Sequence, residues 1–319
     1  MSPSLKVAVV QSEPDWYDLK GSVEKVSRLI LEASQNGAEL IAFPEVFIPG
    51  YPVWLFSNAA DIEKNVSYIH NSLSYDSPEF ESILTTIKEN PINVVLGFSE
   101  RAQNSVYIAQ CIIDKTARVR MKRRKMKPTH VERVLFGDGK SSDLSNVTKL
   151  SFSNTPDIEV GCLNCWEHMQ PLLTFNSATQ HEKVHVGSWP FLYNEGDAFS
   201  LQVGGNQILA STYAMQTLSF YLFAAAITTD KIYKKLDKLP ELIKAGLGCS
   251  AVFAPDGRKI SSDLGKDFDG LLYQYLDMNL VVVNKHLIDI VGHYSRTDMM
   301  SLNIHDSNEN VSQNYLKPT

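Results

Sequence analysis

Apolar side chains recur along this chain in two periods, and the switches between those periods outline a fold. The run at 5–11, with Leu5, Val7, Ala8, Val9 and Val10, has the length and β-branched content of a buried strand. Behind it Val23, Val26, Leu29, Ile30 and Ala33 repeat at helical spacing, with Ser22 as the expected N-cap and Gly37 as the C-terminal stop. Leu40-Ile41-Ala42-Phe43 is a second buried strand, closed by Pro44 and Glu45. This strand–helix–strand opening predicts neighbouring parallel strands joined by a right-handed crossover.

A helix expected at 78–90 leads into a strand at 92–98. Two strands then follow without a helix between them, 106–113 and 118–123, joined by Asp114-Lys115-Thr116-Ala117 as a hairpin turn. The second half predicts strands at 158–163, 184–189, 208–213, 220–227 and 250–255, the last running into the turn Asp256-Gly257. A helix is expected at about 171–178. Strand–helix–strand units mixed with hairpins imply an α/β fold in which helices cover sheets. No Pro-, Gly- or Ser-rich linker divides the chain, so 1–305 reads as one domain. The end, 306–319, is polar without apolar periodicity and reads as a tail, disordered alone or ordered by a partner subunit.

Composition narrows the function classes. Of the 319 residues, 44% are hydrophobic and 21% charged, the balance of a globular protein. A net charge of −6 argues against bulk attraction to nucleic acid or an anionic membrane. No apolar stretch approaches the roughly 20 residues that span a bilayer, and the N-terminal residues lack the pattern of a signal peptide. The expected location is therefore cytoplasmic, and Cys111, Cys162, Cys165 and Cys249 are expected as thiols. The basic run Lys122-Arg123-Arg124-Lys125-Met126-Lys127 is short, and in an acidic chain it is weak ground for phosphate binding.

Cys165 lies on the turn between the strand at 158–163 and the helix at 171–178. Such a turn pushes the sulfur out of the sheet, and a helix N-terminus behind it would favour the thiolate. Glu45 and Lys125 each close another predicted strand, and the carboxyl ends of strands are where α/β sites assemble. Each residue alone has a plainer reading: a solvated carboxylate, a solvated lysine, a small core cysteine. The Cys162-x-x-Cys165 spacing also fits a redox dithiol or half of a zinc site, but Cys162 falls inside the strand pattern and no second such pair follows. His130 and His168 read either as proton carriers or as hydrogen-bonded structural histidines.

Three longer words combine these residues. They are Phe43-Pro44-Glu45-Val46-Phe47-Ile48-Pro49-Gly50-Tyr51-Pro52, Arg124-Lys125-Met126-Lys127-Pro128-Thr129-His130-Val131-Glu132-Arg133, and Gly161-Cys162-Leu163-Asn164-Cys165-Trp166-Glu167-His168. With them the chain resembles the nitrilase branch of the carbon–nitrogen hydrolase superfamily, in order from residue 5 to about residue 300. His185-Val186-Gly187-Ser188-Trp189-Pro190, Ser250-Ala251-Val252-Phe253-Ala254-Pro255-Asp256-Gly257 and Gly292-His293-Tyr294-Ser295-Arg296 extend the likeness.

The resemblance implies an αββα sandwich, two mixed β-sheets flanked by helices, that pairs into a four-layer unit in a homodimer or higher homo-oligomer. The short tail argues against long filaments. It implies a catalytic triad of Glu45, Lys125 and Cys165, with Lys127 as the rival lysine. Glu132 matches a further glutamate near the triad, either catalytic or part of a structural ion pair. Tyr51, Trp54, Trp166, His130 and Trp189 are the expected substrate-binding residues, with Tyr213 a further wall. The implied reaction hydrolyses a small-molecule nitrile to the carboxylic acid and ammonia through a cysteine thioimidate and thioester, with neither metal nor organic cofactor. Cyanide hydratases and other amide-releasing enzymes share these motifs. An amidase fits less well, because Lys-Pro-Thr-His and Asn-Cys-Trp-Glu are words of the nitrile branch. A non-catalytic assembly member is the remote alternative.

Overall fold

The computed structural model describes residues 3–193, 198–235 and 247–304, so the tail expected at 306–319 lies outside the described residues. Strand β1 (Ser4–Gln11) leads to helix α1 (Leu19–Gln35) and strand β2 (Leu40–Ala42). Three helices follow, α2 (Leu55–Asn58), α3 (Ile62–His70) and α4 (Pro78–Glu89), and then the meander β3 (Asn93–Ala102), β4 (Ser105–Ile113) and β5 (Val119–Arg124). The second half runs β6 (Val147–Leu150), β7 (Ile158–Asn164), α5 (Pro171–Thr179), β8 (Val184–Trp189), α6 (Val203–Thr217) and β9 (Phe220–Ala225). It closes with β10 (Ala251–Phe253), β11 (Gly270–Asp277) and α7 (Asn279–Leu287). No helix among the described residues is long and apolar enough to cross a membrane.

The strands form two mixed sheets, one ordered β11-β1-β2-β3-β4-β5 and the other β10-β9-β8-β7-β6. β1, β2 and β3 run parallel, as the strand–helix–strand pattern requires, and β7, β8 and β9 repeat that arrangement. The sheets stack through Val7, Val9, Leu40 and Val95 on one side and Val160, Cys162, Val186 and Leu222 on the other. The outer face of the first sheet carries Ala8, Val10, Ile41 and Val94 against Val26, Ile30, Phe80 and Ile83 of α1 and α4. The outer face of the second carries Leu163, Tyr221 and Phe223 against Ala210, Tyr213 and Ala214 of α6. The layers are therefore helix, sheet, sheet, helix, and strands buried on both faces explain the continuous apolar runs in the sequence.

Local differences from the sequence reading have local causes. Asp18, not Ser22, caps α1 by accepting from the Gly21 amide; Ser22 is already inside the helix, its hydroxyl donating to the Asp15 carbonyl. Gly37 does end that helix, at φ +73°, where only glycine is unstrained. The segment 208–213, expected as a strand, belongs to α6, because a short apolar run cannot by itself separate a buried strand from a buried helix. Strand β11 carries partly exposed positions and pairs antiparallel with β1, a partner that stands more than 250 residues earlier.

The parallel strands of both sheets end on one side of the molecule, and side chains stitch those ends together. Gln110 of β4 donates to the Leu163 carbonyl at 3.1 Å and to the Ser188 hydroxyl at 2.8 Å. Ser188 donates to the Phe43 carbonyl, and the Glu45 amide to the Trp189 carbonyl at 3.2 Å. Gly97 of β3 packs directly beneath: a Cβ there would stand 2.2 Å from the Pro44 carbonyl oxygen and 3.2 Å from the Glu45 Cα. Gly97→Ala is therefore expected to cost about 1–3 kcal/mol in urea denaturation, since the opposing atoms are backbone.

Candidate active site

Lys125 follows the last residue of β5, and its amide donates to the Ile108 carbonyl at 2.7 Å, so it continues the sheet edge. Its ammonium is buried and donates to Glu45 Oε1 and to Glu132 Oε2, each at 2.9 Å. Burial alone would push the lysine down, but the facing carboxylates of Glu132 and Glu45 outweigh it and hold the ammonium charged well above the ordinary lysine range. Lys127, the rival in sequence, points outward and pairs with Asp138 at the surface.

The two carboxylates differ in their hydrogen bonds. Glu132 accepts from the Tyr51 hydroxyl at 2.9 Å, the Thr129 amide at 2.6 Å and Lys125, so both of its oxygens are occupied. Glu45 accepts only from Lys125, and its Oε2 is buried with no hydrogen-bond partner among the described residues. Burial pushes the Glu45 carboxyl up to about 8; Lys125 opposes that rise and the Glu132 charge adds to it.

Cys165 opens the short 3₁₀ turn Cys165–Met169 with φ +47°, the left-handed conformation that aims its side chain out of line with β7. Cys162 points the other way, into the core between the sheets, so the two thiols of the Cys-x-x-Cys word serve different faces. The expected thiolate-favouring helix end is not there, because α5 begins only at Pro171. Burial pushes the Cys165 thiol well up, Glu45 adds to that and Lys125 opposes it, so at neutral pH the resting sulfur carries its proton.

A third buried carboxylate fixes Lys125 and Cys165 relative to one another. Glu167 accepts two charge-assisted bonds from Arg123 at 2.7 and 2.8 Å, the Met126 amide at 2.8 Å and the Asn164 amide at 2.8 Å. Met126 is the neighbour of Lys125 and Asn164 the neighbour of Cys165, so one carboxylate ties the lysine strand to the cysteine turn. Arg123 also donates to Gln110, which stitches the sheets.

Cys165 and Glu132 line a cavity of about 380 Å³, whose walls include Tyr51, Phe56, Trp166, Phe191, Leu192 and Tyr193. Of the expected substrate-binding residues, Tyr51, His130 and Trp166 line this cavity. Trp166 is held by its indole N–H, which donates to Asn206 of α6 at 3.2 Å. Trp54, Trp189 and Tyr213 do not line it. Trp54 donates to Asn65 and packs edge-on against Tyr17 and Tyr68. Trp189 is fully buried, stacked on His168 and Phe223, and Tyr213 bonds Glu182. Phe56, Phe191, Leu192, Tyr193 and Asn206 escaped the sequence reading. The 191–193 run could have been found by the strand-end rule that pointed to Glu45 and Lys125, since it follows the carboxyl end of β8.

A thiol beside a carboxylate with an unoccupied oxygen and a fixed ammonium, at the wall of an apolar cavity, is the equipment of a cysteine-dependent hydrolase. The chain belongs to the carbon–nitrogen hydrolase family, whose model matches residues 6–283. A nitrilase of Meyerozyma guilliermondii is 54% identical over 306 residues, covering 95% of this chain and 96% of its own. An arylacetonitrilase of Hypocrea virens is 44% identical over 305 residues, covering 94% and 91%. Among solved structures, an amidase of the nitrilase superfamily from Nesterenkonia, in a mutant form, aligns with a TM-score of 0.62 over 90% of this chain and 95% of its own. At 17% identity, that likeness speaks for the fold alone.

Removing the Glu167 carboxylate would leave Arg123 charged in the interior. Glu167→Ala is expected to cost about 3–5 kcal/mol in urea denaturation, the scale for stranding one partner of a buried ion pair. Glu167→Gln, which keeps one acceptor oxygen, is expected to fall between the alanine variant and the parent.

Proposed function

We propose that this protein hydrolyses nitriles bearing an aromatic group, releasing the carboxylic acid and ammonia, with Cys165 as nucleophile. The observation that carries the reading is the Lys125 ammonium held between Glu45 and Glu132 beside a thiol that lines an aromatic-walled cavity. The nitrilase relative supports a nitrile substrate, and the arylacetonitrilase relative supports an aromatic one. A cavity of about 380 Å³ holds a ring and a short chain, far more than hydrogen cyanide fills.

The residues divide the work by their hydrogen bonds. Glu45, with one oxygen unoccupied, takes the thiol proton as Cys165 adds to the nitrile carbon and forms a thioimidate. Lys125 meets the negative charge that develops on the substrate nitrogen. Glu45 hands that proton to the nitrogen, then takes one from an attacking water and passes it on in turn; the added hydroxyl supplies the third proton as the tetrahedral adduct collapses, so the nitrogen leaves as ammonia and a thioester remains. A second water, activated in the same way, releases the acid and restores the thiol. Glu132, saturated by Tyr51, Thr129 and Lys125, holds the lysine rather than moving protons. His130 and Trp166 shape the cavity wall. Departure of the thiol in place of ammonia would release the amide, the outcome that product analysis separates.

Four buried free thiols support an intracellular, cytoplasmic setting. Exposed apolar residues on the outer helices, Leu172 of α5 with Ile208 and Met215 of α6, support a homodimer in which that face is covered. A single domain over 1–305 accords with the two sheets sharing one core.

Two measurements test the reaction. Ammonia release and mass-spectrometric product identification on phenylacetonitrile should give the acid, and Cys165→Ala and Glu45→Gln should each lose turnover by on the order of 10⁴-fold. Full activity in either folded variant would end the assignment. The pH profile is the second test. Glu45 must be ionised to accept the thiol proton and its carboxyl sits near 8, so kcat/KM should rise as pH rises through that region and fall away below it. An acidic limb at the ordinary carboxylate value of about 4.3 would contradict a buried Glu45 base.

A further inference from the structure

Behind the nucleophile, on the face of the second sheet covered by α6, lies a closed polar network that the mechanism does not use. Glu182, His185, His168, Tyr213 and Tyr221 are all buried there. The His168 ring nitrogen Nδ1 stands 2.5 Å from the backbone carbonyl oxygen of Cys165. His168 Nε2 faces His185 Nε2 at 3.0 Å and the Tyr221 hydroxyl at 2.9 Å. His185 Nδ1 meets Glu182 Oε2 at 2.8 Å, and the Tyr213 hydroxyl donates to Glu182 Oε1 at 2.6 Å. The Trp189 indole N–H donates to the Tyr221 oxygen at 3.0 Å.

Counting donors fixes the protons. A carbonyl oxygen only accepts, so His168 Nδ1 carries hydrogen. Burial and the neighbouring His185 keep His168 from charging, so its Nε2 is a lone pair. Two lone pairs cannot face one another at 3.0 Å, so His185 Nε2 carries hydrogen and shares that acceptor with the Tyr221 hydroxyl. On the far side a proton lies between His185 Nδ1 and Glu182, whichever of the two holds it.

The sheet has been opened for this network. Gly161 of β7 and Gly187 of β8 both sit in strand interiors, where glycine weakens a sheet. A Cβ on Gly161 would stand 2.2 Å from Glu182 Oε2, and one on Gly187 would stand 1.8 Å from the Tyr221 oxygen. The two glycines therefore admit the carboxylate and the phenol. What they admit ends on the carbonyl of a residue at φ +47°, a conformation a non-glycine residue keeps only where its surroundings enforce it.

We infer that His168 is a positioning residue for the nucleophile: its Nδ1–H holds the Cys165 carbonyl and so the left-handed turn that aims the thiol, and His185, Glu182 and Tyr221 hold His168 in that tautomer. The inference rests on the reading of Cys165 as nucleophile, and the test separates the two. ¹⁵N spectra of histidine-labelled protein at neutral pH should show His168 as the neutral Nδ1–H form and His185 protonated at Nε2. Alkylation of Cys165 by iodoacetamide, followed by mass spectrometry, reports the turn without using a nitrile. His168→Phe keeps the stacking on Trp189 but not the hydrogen bond; it should slow alkylation at least tenfold and lower kcat on phenylacetonitrile by on the order of 100-fold with KM little changed. His168→Asn, whose side-chain amide places an N–H where Nδ1–H stood, should restore most of both. An Nε2–H or doubly protonated His168 in the parent protein would overturn the inference. So would a folded His168→Phe that alkylates at the parental rate, or a His168→Asn that falls as far as the phenylalanine variant. A protein that passes the spectral and alkylation tests yet converts no nitrile to acid or amide would refute the nitrile reading and leave the positioning role standing.

Discussion

The site depends on one fully ligated carboxylate. Glu167 receives four donors, two from Arg123 and one each from the amides of Met126 and Asn164, and through them it sets the distance between the strand that presents Lys125 and the turn that presents Cys165. An interior ion pair of this kind gains little net stability over apolar packing, because both ions give up hydration. Its return is geometric. A bidentate guanidinium–carboxylate pair fixes a plane, and the two amides fix where each backbone meets that plane. Since β5 and β7 belong to different sheets, nothing in sheet hydrogen bonding alone would hold them in register.

With that register set, the electrostatics follow from counting charges. Glu45, Glu132 and Lys125 would together carry one net negative charge in the interior if all three were ionised, and the Cys165 thiolate would add a second. Burial pushes the thiol up, and the lysine, already facing two carboxylates, does not reverse that rise. The sulfur therefore waits as a thiol for a base, unlike a nucleophile preformed by a helix end. The proposed base is the carboxylate with fewer partners. Three donors commit Glu132 to its place, whereas one oxygen of Glu45 is free to take the proton.

Much of this was legible in the residues. The ends of β2 and β7 could be read to within a residue or two from where apolar runs stop, and that of β5 from the hairpin strand expected at 118–123; Glu45, Lys125 and Cys165 follow those ends. Helices covering sheets followed from strand–helix–strand units mixed with hairpins, and the αββα layering was what the family resemblance implied. What could not be read depends on partners remote in sequence. Trp54 and Trp189 look like pocket aromatics beside the motifs, yet each turns to a buried acceptor, Asn65 for one and Tyr221 for the other. Glu167 reads as one more letter of a motif until Arg123, 44 residues earlier, is seen beside it. The glycines of β7 and β8 were the one local sign of the polar network, because glycine inside a strand marks a close approach.

Backbone strain connects these observations. Val46 at φ +49°, His130 at φ +48° and Cys165 at φ +47° are left-handed non-glycine residues, and they lie next to Glu45, two residues before Glu132 and at the thiol itself. Each of the three segments that reach the site thus contains one residue in a conformation its side chain disfavours. Each is enforced by hydrogen bonds that close the turn. The Val46 turn is closed by the Gly50 amide on the Val46 carbonyl and by Phe47 on Gly97. The His130 turn is closed by the Glu132 amide on the Thr129 carbonyl and by the Thr129 amide on the Glu132 carboxylate. At Cys165 the enforcing donor is a side chain, that of His168. A β-branched valine at a left-handed position is the most strained of the three and sits in the least exposed turn, where no solvent competes for its hydrogen bonds. The chain therefore tolerates strain where a strand must stop abruptly and present a side chain at an angle the strand cannot supply, and it surrounds each such point with donors that leave the turn no alternative.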